Sequence, residues 1–151
     1  MTETQVCHVC GVPVDAGFFD DSSIRAAPAV GQHVVLARFA LHPNYCGVLL
    51  YFAQFTDSYA ADPAQVETPG YQWQINCTGQ PRDPYLSFDH IINPWGLSGF
   101  PIHLRLDEGA RVELVVSHVA DAGGFELQRV GGRILGRSWY DTRYGGAPNR
   151  L

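Results

Sequence analysis

The sequence predicts an all-β fold, a sandwich of two antiparallel sheets, on three observations. Apolar and polar residues alternate with a period of two in several segments, as in half-buried strands. Gly109, Gly123-Gly124 and Gly131-Gly132 separate the later segments as turn residues. No segment of any length has the 3.6-residue repeat of an amphipathic helix. A jelly roll of about eight strands is the preferred arrangement, and an up-and-down barrel is the alternative.

Eight strands are predicted in order along the chain. The second, GVLLYFAQFT, is apolar on both faces, which favours a central position covered on both sides. Asp107-Glu108-Gly109 predicts a tight reversal, because Gly adopts the positive φ that such turns require. The short turns after Phe100 predict that the last four strands form a β-meander. The predicted strands are 33–41, 47–56, 71–77, 85–92, 101–106, 111–118, 124–130 and 133–140.

The chain is divided into an N-terminal arm of residues 1–31, a β-sandwich domain of residues 32–141 and a C-terminal tail of residues 142–151. The arm contains prolines and glycines and has no sustained periodicity. Such a segment buries too little apolar surface alone to offset its ordering entropy. We therefore expect it to be disordered or laid along something else, with Phe18 and Phe19 as anchors.

Charge and hydropathy exclude several functional classes. The chain has 151 residues and a formal net charge of −5, whereas a nucleic-acid-binding domain normally carries a basic patch. No stretch approaches the roughly 18 apolar residues of a membrane helix, and the N-terminus does not resemble a secretory signal. We expect folding in a cytosol, where the four cysteines stay reduced.

Cys7 and Cys10 are the candidate metal ligands. Two cysteines three positions apart, followed by Gly11, match the turn by which zinc ribbons present two thiolates to one metal. A complete site needs four ligands, and no second such pair exists. A symmetry-related chain is one source of the missing ligands, and reduced thiols or a small disulfide loop are the alternatives to zinc. Within the chain, the other candidate ligands are His8, His42, Cys46 and Cys77.

The end of the chain is rich in the residue types found at the centres of protein–protein contacts. The alternative is an ordinary final strand with a frayed end. Together with the anchor residues of the arm, this segment predicts an interface. Its candidate residues are Arg137, Trp139, Tyr140, Arg143 and Tyr144.

No catalytic site is predicted, and the chain is expected not to be an enzyme or to need a cofactor. Asp89 and His90 are the one adjacent acid–base pair considered. Neighbouring residues on a strand point to opposite faces, and no nucleophile or third group lies near them in sequence. The remaining histidines lack metal-ligand spacing and are expected at the surface or in cross-strand pairs. Their positions are His33, His42, His103 and His118.

The run FPIHLRLDEGARVELVVSHV followed by VGGRILGRSWYD resembles small β-sandwich proteins of tailed-bacteriophage virions, of the capsid-decorating or head–tail kind. The segment LHPNYCGVLLYF belongs to the same resemblance. It implies a non-enzymatic structural protein, assembled in the host cytoplasm into the virion. It also implies a homo-oligomer, a trimer or ring, whose arms contact neighbouring copies or a capsid protein.

Two other functions remain open. The first is a carbohydrate- or ligand-binding jelly roll, with Trp73, Trp95 and Tyr85 as an exposed stacking platform. The second is a cupin-like metal enzyme, for which the sequence lacks the His/Glu cluster that such a metal site needs.

Overall fold

A computed structural model describes residues 12–56, 70–78, 80–81, 100–124 and 126–140 of the chain. The predicted strand 85–92 and the Asp89-His90 pair lie outside these residues. The described part is all-β, and every strand pair in it is antiparallel. The strands are β1 (Gly17–Ala26), β2 (His33–Ala40), β3 (Tyr45–Thr56), β4 (Tyr71–Cys77), β5 (Gln80–Pro81), β6 (Phe100–Leu106), β7 (Arg111–His118) and β8 (Arg129–Tyr140).

The strands form two sheets that pack face to face. Sheet I has the order β1-β8-β3-β6, and sheet II has the order β2-β7-β4-β5, in which β5 is only two residues long. The prediction of an all-β antiparallel two-sheet sandwich is therefore confirmed. The central position predicted for the second strand is also confirmed, because β3 lies between β8 and β6.

The core lies between the sheets and follows the alternation of the strands. In β4, Tyr71, Trp73 and Ile75 are buried while the residues between them are partly exposed. Val112, Leu114 and Val116 of β7 fill the same layer. Because inward and outward positions alternate along a strand, this pattern fixes which face of each strand meets the other sheet.

The β-meander predicted for the last third of the chain is wrong. β6 and β8 belong to sheet I, but β7 lies in sheet II between β2 and β4. The tight reversal at Asp107-Glu108-Gly109 does exist, with Gly109 at φ 66° and the Ala110 amide donating to the Asp107 carbonyl at 3.0 Å. It carries the chain from one sheet to the other instead of joining two paired strands.

The predicted division of the last strand is also wrong. Gly131 and Gly132 lie inside β8, which runs unbroken for twelve residues. Of the predicted strand 124–130, only residues 129 and 130 belong to β8, and its other described residues precede that strand. β8 pairs with β1 on one side and β3 on the other. Its glycines are required by close packing: a Cβ at Gly132 would lie 2.6 Å from Leu114 Cδ2.

The predicted N-terminal arm contains a strand of the sandwich. Residues 17–26 form β1, which pairs with β8 along its whole length. Phe19 from β1 is buried and stacks on Phe39, with 4.2 Å between ring centroids. The sandwich therefore begins at least fifteen residues before the predicted boundary at residue 32, since β1 starts at Gly17.

Side-chain hydrogen bonds join the two sheets where β1 and β2 meet. The Arg38 amide of β2 donates to Asp21 Oδ2 at 2.7 Å, and the Ser23 hydroxyl of β1 donates to the Leu36 carbonyl. These bonds satisfy backbone groups of β2 that a neighbouring strand would otherwise pair. The polar residues of β1 thus close one side of the sandwich.

Candidate functional site

The candidate site is the face of sheet I that points away from sheet II, here called the outer face. A Cβ at Gly132 would point into the core, so Gly131 and Arg133 on either side of it point outward. Residues directly opposite one another on paired strands share a face, and the register therefore assigns the neighbouring positions. The outward residues are Phe18, Asp20, Ser22 and Ile24 of β1, Gly131, Arg133, Leu135, Arg137 and Trp139 of β8, and Cys46, Val48, Tyr51, Ala53 and Phe55 of β3.

One half of the outer face is covered by the chain segment that precedes β1. Val12 and Ala16 are buried against Val48, and Leu50 and Trp139 pack on the same small cluster. This cluster is separate from the core between the sheets. A short turn, closed by the Ala16 amide donating to the Pro13 carbonyl at 3.1 Å, therefore covers the part of the face nearest the end of β8.

Arg137 fastens this segment to the sheet. Its Nη2 donates to the Val14 carbonyl at 3.1 Å and to the Ala16 carbonyl at 2.8 Å. Its guanidinium also lies 4.6 Å from the centre of the Phe18 ring, a cation–π contact. The Arg residue predicted to reach a neighbouring molecule thus contacts its own chain, and the Phe18 ring on which it lies remains 71% exposed.

Among the described residues, nothing covers the other half of the outer face, which contains a groove of about 410 Å³. At its edge one cross-strand row consists of Ile24, Gly131 and Phe55, so the middle strand contributes no side chain there. Ile24 is 61% exposed. A surface of this kind is unusual for the solvent side of an antiparallel sheet, which is normally polar. The groove is lined by Ser22, Ser23, Ile24, Ala53, Gln54, Phe55, Gly132 and Arg133.

An ion pair between Asp20 and Arg133 borders the groove. Arg133 Nε donates to Asp20 Oδ1 at 2.8 Å, and Nη2 donates to Oδ2 at 2.5 Å, the two-pronged geometry preferred by guanidinium and carboxylate. This hydrogen bonding lowers the pKa of Asp20 below its ordinary value and raises that of Arg133. Both charges are therefore held in place and largely neutralise each other beside the apolar walls.

The predicted interface residues fall into four groups. Phe18, Arg137 and Trp139 all lie on the outer face, whereas Tyr140 lies edge-on to Tyr45, with 5.8 Å between their ring centroids. Phe19 is only 4% exposed and is assigned to the core instead, because its ring packs between the sheets. Arg143 and Tyr144 lie outside the described residues.

The proposed metal ligands are not brought together in the described structure. Cys7 and Cys10 lie outside the described residues, as does His8. Cys46 and Cys77 are buried within the described part of the chain, and neither belongs to a disulfide there. His42 is exposed and lies beside Tyr45. Across residues 12–56, 70–78, 80–81, 100–124 and 126–140, no group of three potential ligands is arranged to hold a metal ion.

His118 is a buried polar residue that the sequence did not distinguish from the other histidines. It is paired with Tyr71 across the sheet, and their rings stack with 4.0 Å between centroids. Its Nδ1 lies 3.1 Å from the Pro28 carbonyl; since a carbonyl only accepts, a hydrogen bond between them requires the proton on Nδ1. A cross-strand position was expected, but its burial depends on the β1–β2 connection folding over it, which no local pattern signals.

Within the described residues, no helix is long and apolar enough to span a membrane. No family model, no curated protein and no solved structure matches this chain.

Proposed function

We propose that this protein is a non-enzymatic assembly module that associates with itself and with neighbouring proteins, specifically as a structural component of a phage virion. The observation that carries the proposal is the outer face of sheet I, where Ile24 is exposed beside the groove and Phe18 is exposed farther along β1. Exposed apolar patches bordered by polar residues are typical of protein–protein contacts. The virion setting comes from the sequence resemblance given above.

The order of the strands supports the same proposal at the level of the fold. We infer a jelly roll, because the strand orders 1-8-3-6 and 2-7-4-5 place all consecutive strands except β4 and β5 in opposite sheets. Jelly rolls are common in viral capsid proteins and in lectins. The fold supports this function by analogy alone, since one fold serves many functions.

The carbohydrate-binding alternative has less support from the described residues. Trp73, one of the three aromatic residues expected to form a stacking platform, is fully buried in the core. Trp95 and Tyr85 lie outside the described residues. The exposed aromatic side chain of the outer face is Phe18, which carries the guanidinium of Arg137 on its ring.

Sedimentation velocity of the full chain over a range of concentrations tests the proposal. The unmodified protein should sediment as an oligomer, and Ile24→Ser should shift the population toward the monomer because it removes an exposed apolar contact. Val119→Ser is the matched control, since Val119 is 58% exposed but lies outside sheet I. A protein that stays monomeric at every concentration, or equal effects of both substitutions, would contradict self-association through this face.

A further inference from the structure

We propose that the free edge of β1 pairs with the same edge of a second copy of the chain, so that sheet I continues antiparallel across two molecules. This inference rests on the proposed self-association and assigns it a contact other than the outer face. Sheet I has the order β1-β8-β3-β6, so β1 has a paired neighbour on one side only. A strand in this position presents a row of amide and carbonyl groups with which another chain can pair.

The register with β8 identifies the backbone groups that β1 presents at its free edge. The amide of Ala27, directly after β1, donates to the Gln128 carbonyl at 3.0 Å, and these two residues continue the register of β1 with β8. In an antiparallel pair, residues bonded to the partner alternate with residues whose amide and carbonyl point the other way. Because the register is unbroken, the odd-numbered residues of β1 bond to β8. The residues that present their backbone groups at the free edge are Phe18, Asp20, Ser22, Ile24 and Ala26.

The other sheet edges carry protective features that β1 lacks. Proline, bulges, very short strands and covering groups are the usual means of preventing an edge from pairing. β2 has a register shift between Val35 and Ala37, and its free groups at Leu36 and Arg38 are bonded to side chains of β1. β6 contains Pro101, and β5 is only two residues long. β1 is ten residues long without a register shift, and its free-edge groups have no bonded partner among the described residues.

Two-fold symmetry and charge select one register for the pairing. The residues that can bond across the edge are all even-numbered, so the symmetry axis passes through a residue of β1 and not between two residues. An axis at Asp21 would place that carboxylate opposite its own copy, and an axis at Ser22 would place it opposite Ser23. An axis at Ser23 places Asp21 of each copy opposite Arg25 of the other. Opposite charges that face each other across antiparallel strands stabilise the pair, so we assign the axis to Ser23.

Both charges are available for this contact. The Asp21 carboxylate accepts the Arg38 amide through Oδ2, and Arg25 Nε donates to the Ser23 hydroxyl at 3.3 Å. Neither side chain forms an ion pair within the described residues. Charged side chains on an edge normally oppose its pairing with another strand. In this register they attract each other, which favours a second copy over an unrelated strand.

Sedimentation velocity of Ser22→Pro tests the pairing. With the axis at Ser23, the Ser22 amide of each copy donates to the Ile24 carbonyl of the other. Proline has no amide hydrogen, so the variant loses both bonds and should raise the dissociation constant at least about tenfold. Proline is tolerated on an edge strand, and circular dichroism verifies that the variant is folded.

Ser22→Ala is the matched control, because it loses the same hydroxyl but keeps the amide. It should associate as the unmodified protein does. An unchanged dissociation constant for folded Ser22→Pro, or an equal increase for Ser22→Ala, would overturn the pairing.

Disulfide cross-linking tests the register independently of the proline variant. Ser23 faces its own copy in the type of pair whose Cα atoms are about 4.5 Å apart, a separation that a disulfide can span. Ser23→Cys should therefore form a covalent dimer under copper–phenanthroline oxidation, with position 23 linked to position 23 in the mass spectrum of the digested product. Ser22→Cys is the control, because Ser22 is more exposed but lies diagonally from its own copy, at about 7–8 Å. Linkage through position 22, or no linkage through position 23, would overturn the register.

The outcomes separate this inference from self-association through the outer face. Ile24→Ser changes the outer face but keeps every backbone group of the β1 edge. If Ser22→Pro dissociates the oligomer and Ile24→Ser does not, the edge pairing stands and the outer-face contact fails. If only Ile24→Ser dissociates it, the outer-face contact stands and the edge pairing is overturned. A protein that is monomeric at every concentration would overturn both.

Discussion

Phe18 and Phe19 are adjacent in β1, yet they face opposite sides of the same sheet. Phe19 stacks on Phe39 in the core, and Phe18 lies outside under Arg137. Phe19→Ala should reduce the free energy of unfolding by about 3–5 kcal/mol, because it removes a large buried side chain and leaves a cavity. Urea denaturation followed by tryptophan fluorescence measures this loss.

Phe18→Ala is the matched control for that measurement. It should reduce the free energy of unfolding by about 1 kcal/mol or less, the usual size of an exposed cation–π contact. If both substitutions lowered the free energy of unfolding equally, Phe19 would not belong to the core, and β1 would not pair with β8 with Phe19 facing sheet II.

The Asp20–Arg133 pair should give a stability difference that depends on pH. The hydrogen bonds from Arg133 lower the pKa of Asp20 below its ordinary value of 3.8. A carboxyl group whose pKa is lower in the folded state stabilises the fold above its unfolded-state pKa and loses this effect as the pH falls through the folded-state value. Asp20→Asn should therefore lower the melting temperature slightly at neutral pH.

The difference between Asp20→Asn and the unmodified protein should disappear in acid, below the lowered pKa of Asp20. Melting curves by circular dichroism from neutral to acidic pH measure it. Asp107→Asn is the control, because both side chains of its pair are largely exposed and the Asp107 carboxylate lies 3.9 Å from Arg105. A difference that persists unchanged in acid would show that Asp20 acts through something other than its charge.

At the scale of the element, β8 depends on glycines that face both sides of sheet I. A Cβ at Gly136 would lie 2.2 Å from Phe19 Cζ and 2.3 Å from the Val48 carbonyl oxygen, so backbone as well as side chain would have to move. Gly136→Ala should therefore destabilise the protein by about 1–3 kcal/mol, the usual cost of overpacking. Thermal denaturation measures the effect.

Gly123→Asn provides the comparison within the same chain. Gly123 has φ 67° and nothing within 4 Å of a built Cβ, and Asn is the residue after Gly that most readily adopts this conformation. Its melting temperature should stay close to that of the unmodified protein. A loss as large as that from Gly136→Ala would contradict the assignment of Gly136 to a tightly packed position.

The same elements explain which parts of the fold could be predicted. Alternation located β4 and β7 correctly: it is strict in β4, which buries one face, and in β7 it is broken only at Val115, which is buried as well. β1 gave no such signal, since its inward residues after Phe19 include Asp21 and Ser23. These polar side chains are satisfied by the backbone of β2, and that contact exists only once the two sheets have met.

At the scale of the whole molecule, strand pairing was the least predictable property. Turn residues mark where the chain reverses, but they do not specify which strand becomes the partner; β6 and β7 are joined by a tight turn and still lie in different sheets. The candidate site, too, could be predicted only in part from the sequence. Arg137 was identified from its residue type, whereas the groove depends on β8 lying between β1 and β3, which only the assembled sheet reveals.

The pairing of β1 with β8 has a consequence for how the protein is made. The first described strand lies beside the last one, so sheet I cannot be completed until residues 129–140 have left the ribosome. Until then β1 and β3 lack β8, the strand that lies between them and pairs with both. Contacts between residues this distant in sequence form slowly. Newly made chains should therefore spend their synthesis with these strand edges unpaired, and reliance on a chaperone would follow from topology alone.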